Sequence, residues 1–451
     1  MRNPPEPLRV LLTCRDLALR GGSQLYTRDV AAALRELGHT PVVFSPRLGR
    51  VADDLRSRGV AVVDSLDRLG QPPSVIHGQH HLEAMAAMLR FPGIPAIYVC
   101  HGWLPWQEAP PRFPSIGRYV AVDALRRDRL VFEHGIPESE VEILPNFVDV
   151  SRFRPRPALP ARPSRALLFS NQATPDGALA RAVGKACADE GIPLDVAGDA
   201  WGNSLARPED ALPRYDLVFA RGRSAMEAMV TGCAVVLCDA EGCGPMVDPL
   251  NFDALRAMNF GLSALSEPAS SEALRSRIAR FEPEGAAQVS RRVRAECDCR
   301  PVVQRLVEIY RLAGAGLPRD PDATPAEFLG AASRYLSWLG PFFEGQLEAA
   351  RAAALDAAGA SPPPGRPDAP GAAARALQEH LESREGDVDA LWHAYGTAQE
   401  RLRHTESDLR DASESLRVLQ QSPFSKLRAF FLTLKPLVAV YHAFRGRHFG
   451  H

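Results

Sequence analysis

Apolar runs of strand length alternate through the first 310 residues with stretches whose apolar residues recur every three to four positions. That alternation restricts the chain to layered α/β folds with parallel sheets. Leu8 to Cys14 is the first run; the turn Arg20-Gly21-Gly22 follows it, and Ser23 is a favoured helix N-cap. Leu25, Tyr26, Val30, Ala33, Leu34 and Leu37 then mark one helical face, Gly38 stops it, and Pro41 to Ser45 resumes a strand. Ser74 to His77, Ala96 to His101, Tyr119 to Val122 and Val141 to Leu144 continue the series. Beyond the Pro/Arg-rich stretch Arg154 to Ser164, a second series follows at Ala166 to Ser170, Leu194 to Ala197, Leu217 to Ala220 and Ala234 to Cys238. Val302, Val303, Leu306, Val307 and Tyr310 predict the helix that closes this second unit. Two doubly wound units of about 150 residues each fit the 451-residue length, and a ligand is expected in the cleft beyond their strand ends.

The composition changes after Gly314. Residues 315–374 read as a linker holding an Ala-rich helix over Ala331 to Gly359, then a Pro/Gly stretch from Pro362 to Pro370. Across residues 375–421, Leu381, Val388, Tyr395, Leu402, Leu409 and Leu416 are spaced by sevens, which predicts a coiled coil and with it an oligomer. Residues 422–451 carry Lys426, Arg428, Lys435, Arg445 and Arg447 with no acid, interleaved with aromatic and aliphatic residues. Such a tail suits peripheral contact with an anionic membrane, and equally a helix packed on protein.

Charge and cysteine usage narrow the chemistry. The 53 basic and 54 acidic residues nearly cancel, so nothing global points to nucleic acid. Only Lys185, Lys426 and Lys435 of those 53 are lysines, so a mechanism that needs a phosphate-binding or Schiff-base lysine has few places to put one. The 8 cysteines lack paired C-x2-C spacing, and no signal peptide or 18-residue apolar run is present. The expectation is a cytoplasmic protein, peripheral on the inner face of the cell membrane through its tail. His77, His80 and His81 lie close in sequence without a matching carboxylate pattern, so neither a metal site nor a cofactor is expected.

Several segments, taken in order, carry a resemblance. Gly21-Gly22-Ser23 precedes Val30-Ala31-Ala32-Ala33-Leu34-Arg35-Glu36-Leu37-Gly38-His39; Val75-Ile76-His77 and Tyr98-Val99-Cys100-His101-Gly102 end two strands; Leu144-Pro145-Asn146-Phe147-Val148-Asp149 precedes the linker. Glu227-Ala228-Met229, Gly232-Cys233-Ala234-Val235-Val236 and Gly242 to Pro245 follow. Over about residues 8–314 the chain resembles the family-four retaining nucleotide-sugar glycosyltransferases. The resemblance implies the GT-B fold: an α/β chain of two Rossmann-like doubly wound domains, here residues 1–155 on the acceptor side and 156–314 on the nucleotide-sugar side, followed by the helical, coiled-coil C-terminal extension. It also implies transfer of a sugar from a nucleotide-diphosphate donor to a glycan, lipid or other acceptor.

Such a transfer needs donors for the charge that develops on the leaving diphosphate. Gly21 and Gly22 offer backbone amides, and Arg221 and Arg223 offer guanidinium forks. The resemblance places Glu227 on the ribose, His101 near the reaction centre, and Asn171 and Gly242 on the nucleotide side. Ser224-Ala225-Met226-Glu227 also fits a helix capping box, which would make Glu227 purely structural. Three positions depart from the family pattern. Asn171 and Asp176 stand where an arginine and a lysine are expected, and the first glutamate of the E-x7-E pair falls on Phe219. Either Arg20, Arg221 or Arg223 takes over the cationic role, or the two domains are a scaffold acting through the coiled coil and tail.

Overall fold

The computed structural model describes residues 6–18, 20–102, 106–315 and 324–359. The heptad segment 375–421 and the basic tail 422–451 lie outside the described residues. The chain divides into two units between Ala331 and Ala332.

The first unit contains both sheets. Its N-terminal part runs β1 (Arg9–Thr13), α1 (Gly22–Glu36), β2 (Thr40–Phe44), α2 (Arg50–Ser57), β3 (Ala61–Val63), β4 (Val75–Gly78), α3 (His81–Arg90), β5 (Ala96–Cys100), β6 (Ile116–Ala121), α4 (Ala124–Asp128) and β7 (Val141–Ile143). These seven strands are all parallel, in the order β3-β2-β1-β4-β5-β6-β7. The second part runs β8 (Ala166–Phe169), α5 (Ala178–Asp189), β9 (Leu194–Ala197), α6 (Pro208–Ala211), β10 (Leu217–Ala220), α7 (Gly222–Thr231), β11 (Ala234–Asp239) and β12 (Gly242–Met246), then α8 (Phe252–Ala257), α9 (Ser271–Ile278), α10 (Pro283–Glu296) and α11 (Cys299–Ala315). Its sheet has the order β12-β11-β10-β8-β9, with only β12 antiparallel.

The strand order reverses between β1 and β4 in the first sheet and between β8 and β10 in the second. Both reversals leave a crevice at the C-terminal strand ends, the usual place for a ligand in open α/β sheets. The segments after β1, β4, β8 and β10 therefore form the region where a site can be built.

Two elements differ from the sequence expectation. Gly242 to Pro245, expected as a Gly-rich turn, is part of β12, a hairpin partner of β11. The helix expected to close the second Rossmann unit packs instead in the core of the first sheet: Val303, Leu306, Ile309, Tyr310 and Ala313 of α11 are buried with Val10, Leu12 and Val43. The chain crosses back just before α11, where Val148 accepts from the Cys299 N–H and donates to the Cys297 carbonyl. An amphipathic period shows that a helix has a buried face, but not which core the face joins.

Helix α12 (Thr324–Gly359) runs through the division between the units, as the Ala-rich composition predicts, with Pro341 inside it. In the second unit Trp338 stacks on Phe342. Among the described residues no helix is long and apolar enough to cross a membrane.

The return of α11 depends on a close approach at Gly117 of β6. A Cβ there would stand 2.5 Å from the Ala313 carbonyl oxygen and 2.8 Å from its Cα, both backbone atoms that cannot rotate away. Gly117→Ala is therefore expected to destabilise the protein by about 1–3 kcal/mol in urea unfolding. An unchanged midpoint would show that α11 does not bear on β6 this tightly.

Candidate functional site

A cavity of about 280 Å3 lies between the strand ends of the two sheets. It is lined by Arg20 and Gly22 after β1, by Ser170 and Asn171 after β8, and by Arg221, Arg223 and Glu227 around the start of α7. A second cavity of about 210 Å3 shares Gly22, Arg221 and Arg223, and continues to Tyr26, His101, Asn146 and Asn259.

Two helices open onto this space. Gly21 is the N-cap of α1 and Arg221 the N-cap of α7; neither residue offers a side-chain acceptor to the helix, and no acid occupies either first turn. The first N–H groups of a helix lack intrahelical acceptors and carry the positive end of its dipole, so each terminus favours an anion. Nothing lies within 4 Å of where a Cβ on Gly22 would stand, so the space above that terminus is open.

A buried ionic chain joins the two helices. On α1, Arg28 Nε donates to Asp29 Oδ1 at 2.7 Å, and the Arg28 guanidinium reaches Asp54 of α2 at 3.4 Å. Across the cleft, Arg223 of α7 donates to Asp29 Oδ2 and, through Nε, to Glu227 Oε1 at 3.1 Å. Side-chain exposure is 2% for Asp29, 13% for Arg223 and 3% for Glu227, so the pairing takes place in low dielectric. Burial by itself would raise the Asp29 carboxyl, but Arg223 and Arg28 outweigh it and hold the group well below the usual carboxylate range. The same partners raise Arg223 against its own burial.

Arg221 is also held. Its Nε donates to Asp239 Oδ2 at the end of β11, and its guanidinium reaches Gln172 Oε1 at 3.2 Å. Asp239 in turn accepts from Ser170 Oγ at 2.5 Å, which ties together the ends of β8, β10 and β11. Arg20 differs: among the described residues it is the arginine lining the larger cavity that has no ion pair. Burial first, then the neighbouring Arg28, lower its pKa more than Glu227 and Asp54 raise it, so its charge is under-compensated and an incoming anion would relieve it. Asn171 spans the cleft, its side-chain amide 3.5 Å from the Arg20 carbonyl oxygen while its Oδ1 accepts from the Asp199 N–H.

His101 follows β5 at the wall of the smaller cavity. Its Nε2 lies 2.7 Å from Gln79 Oε1, its backbone N–H donates to Glu108, and its ring meets the edge of Tyr26 at 4.5 Å. Burial, then His80, His77 and Arg126, push its pKa well below the ordinary histidine value, so the ring is neutral at pH 7. The same burial raises the Glu108 carboxyl.

The structure thus brings together Gly22, Asn171, Arg221, Arg223, Glu227 and His101 of the residues singled out in the sequence, with Gly21 as the adjoining N-cap. Gly242 lines neither cavity. It has φ +150°, and a Cβ there would meet the Glu267 carbonyl oxygen at 2.6 Å, so the backbone at this turn and the approach of Glu267 account for glycine. Phe219 is a fully buried core residue of β10, and a single residue, Arg221, separates β10 from α7; the loop that would carry a first glutamate is not built. Ser224 is not the N-cap of α7, and Glu227 bonds the Arg223 side chain, so the capping-box reading does not hold. Asp176 offers its backbone carbonyl to Arg181 and lines neither cavity. His77 bonds the Tyr310 hydroxyl at 2.7 Å, His80 accepts from the Arg15 N–H, and His81 meets Trp106; among the described residues no group of three potential ligands could hold a metal.

Asp29, Gln79, Asp239 and Asn259 were missed. Asp29 had a signal: it stands four residues from both Leu25 and Ala33, on the apolar stripe of a helix, where an acid is out of place without a partner.

The family model described as Glycosyltransferase Family 4 matches residues 20–152. Among solved structures, a glycosyltransferase from Rickettsia africae ESF-5 superposes with TM-score 0.50 at 15% identity, covering 68% of this chain and 99% of that one. Anabaena HepE in complex with UDP and glucose gives 0.48 at 14% identity, covering 67% and 98%. Acinetobacter baumannii MurG gives 0.38 at 15% identity, covering 68% and 99%. No curated protein matches in sequence. The Rickettsia superposition shows the GT-B fold, and the family match over residues 20–152 supports a glycosyltransferase of GT-B type.

Asp29→Asn leaves Arg223 short of one buried charge and is expected to cost about 3 kcal/mol in urea unfolding at pH 7. The Asp29 contribution is fully present above the unfolded carboxyl value near 4 and is lost as pH falls through its depressed folded value. The stability gap between wild type and variant should therefore narrow below about pH 4. A gap that stayed constant into acid would remove Asp29 as an ionised partner.

Proposed function

We propose that the protein transfers a sugar from a nucleoside-diphosphate sugar to a glycan, lipid or other acceptor, with retention at the anomeric carbon. The observation that carries this reading is the convergence on one cleft of two helix N-termini that no side chain caps and of Arg20, which among the described residues has no ion pair. Such a cleft suits a diphosphate, whose negative charge grows as the glycosidic bond breaks.

Each residue then has a task. The N-termini of α1 and α7 and the Arg20 side chain stabilise the leaving diphosphate, with Arg221 adding a donor whose charge Asp239 partly offsets. Glu227 keeps its second carboxylate oxygen for ribose hydroxyls while Arg223 holds the first. His101 accepts from a sugar hydroxyl in the adjoining cavity.

The reading of retention rests on what the cleft offers as a base. Asp123, Glu227 and Asp239 are the carboxylates among the lining residues, and each is paired with an arginine. His101 is neutral and backed by an amide, so it is a weak proton acceptor. Attack on the face the leaving group departs from needs no such base, because a diphosphate oxygen takes the acceptor's proton. We further propose that the work is done at the cytoplasmic face of a membrane, with residues 422–451 supplying the contact and 375–421 an oligomer.

Incubation with a panel of UDP-, GDP- and ADP-sugars is expected to show binding and slow donor hydrolysis that releases the sugar with its anomeric configuration kept. Failure of every donor to bind or hydrolyse would leave a GT-B scaffold without transferase activity. Within that panel, Arg20→Ala should weaken the nucleoside diphosphate by on the order of ten- to a hundredfold, as expected for a charge-assisted contact of about 1.5–3 kcal/mol, and leave the nucleoside unchanged. Calorimetric titration of both ligands separates the two; equal affinity for the diphosphate in variant and wild type would exclude Arg20 from the phosphate site.

A further inference from the structure

Behind His101 lies a chain of side chains in which each proton has one place to go. The Thr27 hydroxyl is 2.8 Å from the Ser23 carbonyl oxygen, which can only accept, so Thr27 gives its single proton there. Toward Gln79, Thr27 Oγ1 is then an acceptor, and the Gln79 side-chain nitrogen faces it. The other end of that amide, Oε1, faces His101 Nε2 at 2.7 Å and can only accept. His101 must therefore carry its proton on Nε2. The Gln79 backbone is pinned as well: its N–H donates to Thr13 Oγ1 at 3.1 Å, and Thr13 Oγ1 donates back to its carbonyl at 2.9 Å. Thr13, Thr27 and Gln79 are all fully buried, so water does not compete for these bonds.

We propose that Gln79 is a positioning residue that fixes the His101 proton on Nε2, so that Nδ1 offers its lone pair to the cavity as the acceptor for a sugar hydroxyl. The sugar-facing half of this statement rests on the function proposed above; the tautomer half does not. A carboxylate at position 79 would pull the ring toward imidazolium and make it a donor at both nitrogens. The amide instead keeps the ring neutral and directional, an arrangement suited to binding a hydroxyl and unsuited to removing its proton. Among the described residues no group bonds Nδ1. The titratable and charged groups around the ring are His77, His80, Arg126 and the Glu108 carboxylate at its backbone, with the Tyr26 ring edge against one side.

The test is nitrogen-15 NMR of full-length protein labelled at histidine, with the His101 signals identified by their loss in His101→Ala. Wild type is expected to show the Nε2–H tautomer alone at pH 7. Thr27→Val removes the proton that orients the Gln79 amide, and Gln79→Leu removes the amide itself; both are expected to bring in the Nδ1–H tautomer. Gln79→Glu is expected to keep Nε2–H and to raise the His101 pKa. An unmixed Nε2–H tautomer in both Thr27→Val and Gln79→Leu would overturn the assignment, and if Gln79→Leu does not fold, Thr27→Val and Gln79→Glu still decide it. On the same samples, donor-sugar affinity should fall about tenfold where the tautomer mixes. A mixed tautomer with unchanged sugar affinity would overturn the sugar-facing role alone. Loss of all donor binding in wild type, with the NMR result as expected, would overturn the proposed function and leave the tautomer assignment standing.

Discussion

The relation between α1 and α7 is fixed by one buried ionic chain, Asp54–Arg28–Asp29–Arg223–Glu227, and the rest of the site depends on that relation. A helix N-terminus attracts an anion only within about its first turn, so two termini act on one diphosphate only if they are held across the same cavity. A buried Arg223 shared by carboxylates from both halves of the first unit sets that distance, because displacing any member would leave a charge without a partner in low dielectric. The same geometry removes Arg223 from the count of free cations. Arginine-rich composition therefore says little about how much positive charge the cleft can give a ligand.

A second set of contacts holds the two halves from the other side. The Asn146 N–H donates to Asn259 Oδ1 at 2.8 Å, and Asn259 in turn donates to the Val122 carbonyl. Asn259 and Phe260 have φ of +53° and +50°, a conformation that costs a bulky residue free energy and that persists only where the surroundings impose it. One consequence sits at the site: the Phe260 carbonyl accepts from the Gly222 N–H at 2.6 Å, which fixes the first residue of α7. The strained turn, the crossover at Val148 and the return of α11 into the first core are three places where the halves are joined.

The alternation of apolar runs and helical periods was enough to find ten of the strands and the doubly wound arrangement, because a buried parallel strand reads directly as a short apolar run. It missed β3, which is only partly buried, and β12, whose glycines gave no strand pattern. It assigned α11 to the wrong core, since periodicity records that a face is buried and not what covers it. At the candidate site, motif order picked out Gly22, His101 and Glu227, but counting residues back from Glu227 landed on Phe219, a buried residue of β10, because a count does not register where a strand ends. Gln79 and Asp239 left no trace in the sequence. Their roles arise from pairings with residues distant in the chain, Thr27 and His101 in one case and Ser170 and Arg221 in the other.

The shortage of lysine has a structural counterpart in where Arg20 sits, the arginine lining the larger cavity that has no ion pair among the described residues. The family pattern would place an arginine and a lysine after the first strand of the second half; here that turn carries Asn171, whose side-chain amide reaches toward the backbone of Arg20 in the first half. If the phosphate site is as proposed, the cation has moved from one side of the cleft to the other, and the residue in the old position has become a support for the turn that holds the new one. Moving the charge has a physical consequence. A cation on the nucleotide side would neutralise the diphosphate as soon as the donor bound, whereas Arg20 reaches it only while the two halves are held together. Charge stabilisation on the leaving group then depends on the same Asp29–Arg223 contact that fixes the helices, so a donor bound to the second half alone would lack the Arg20 contribution.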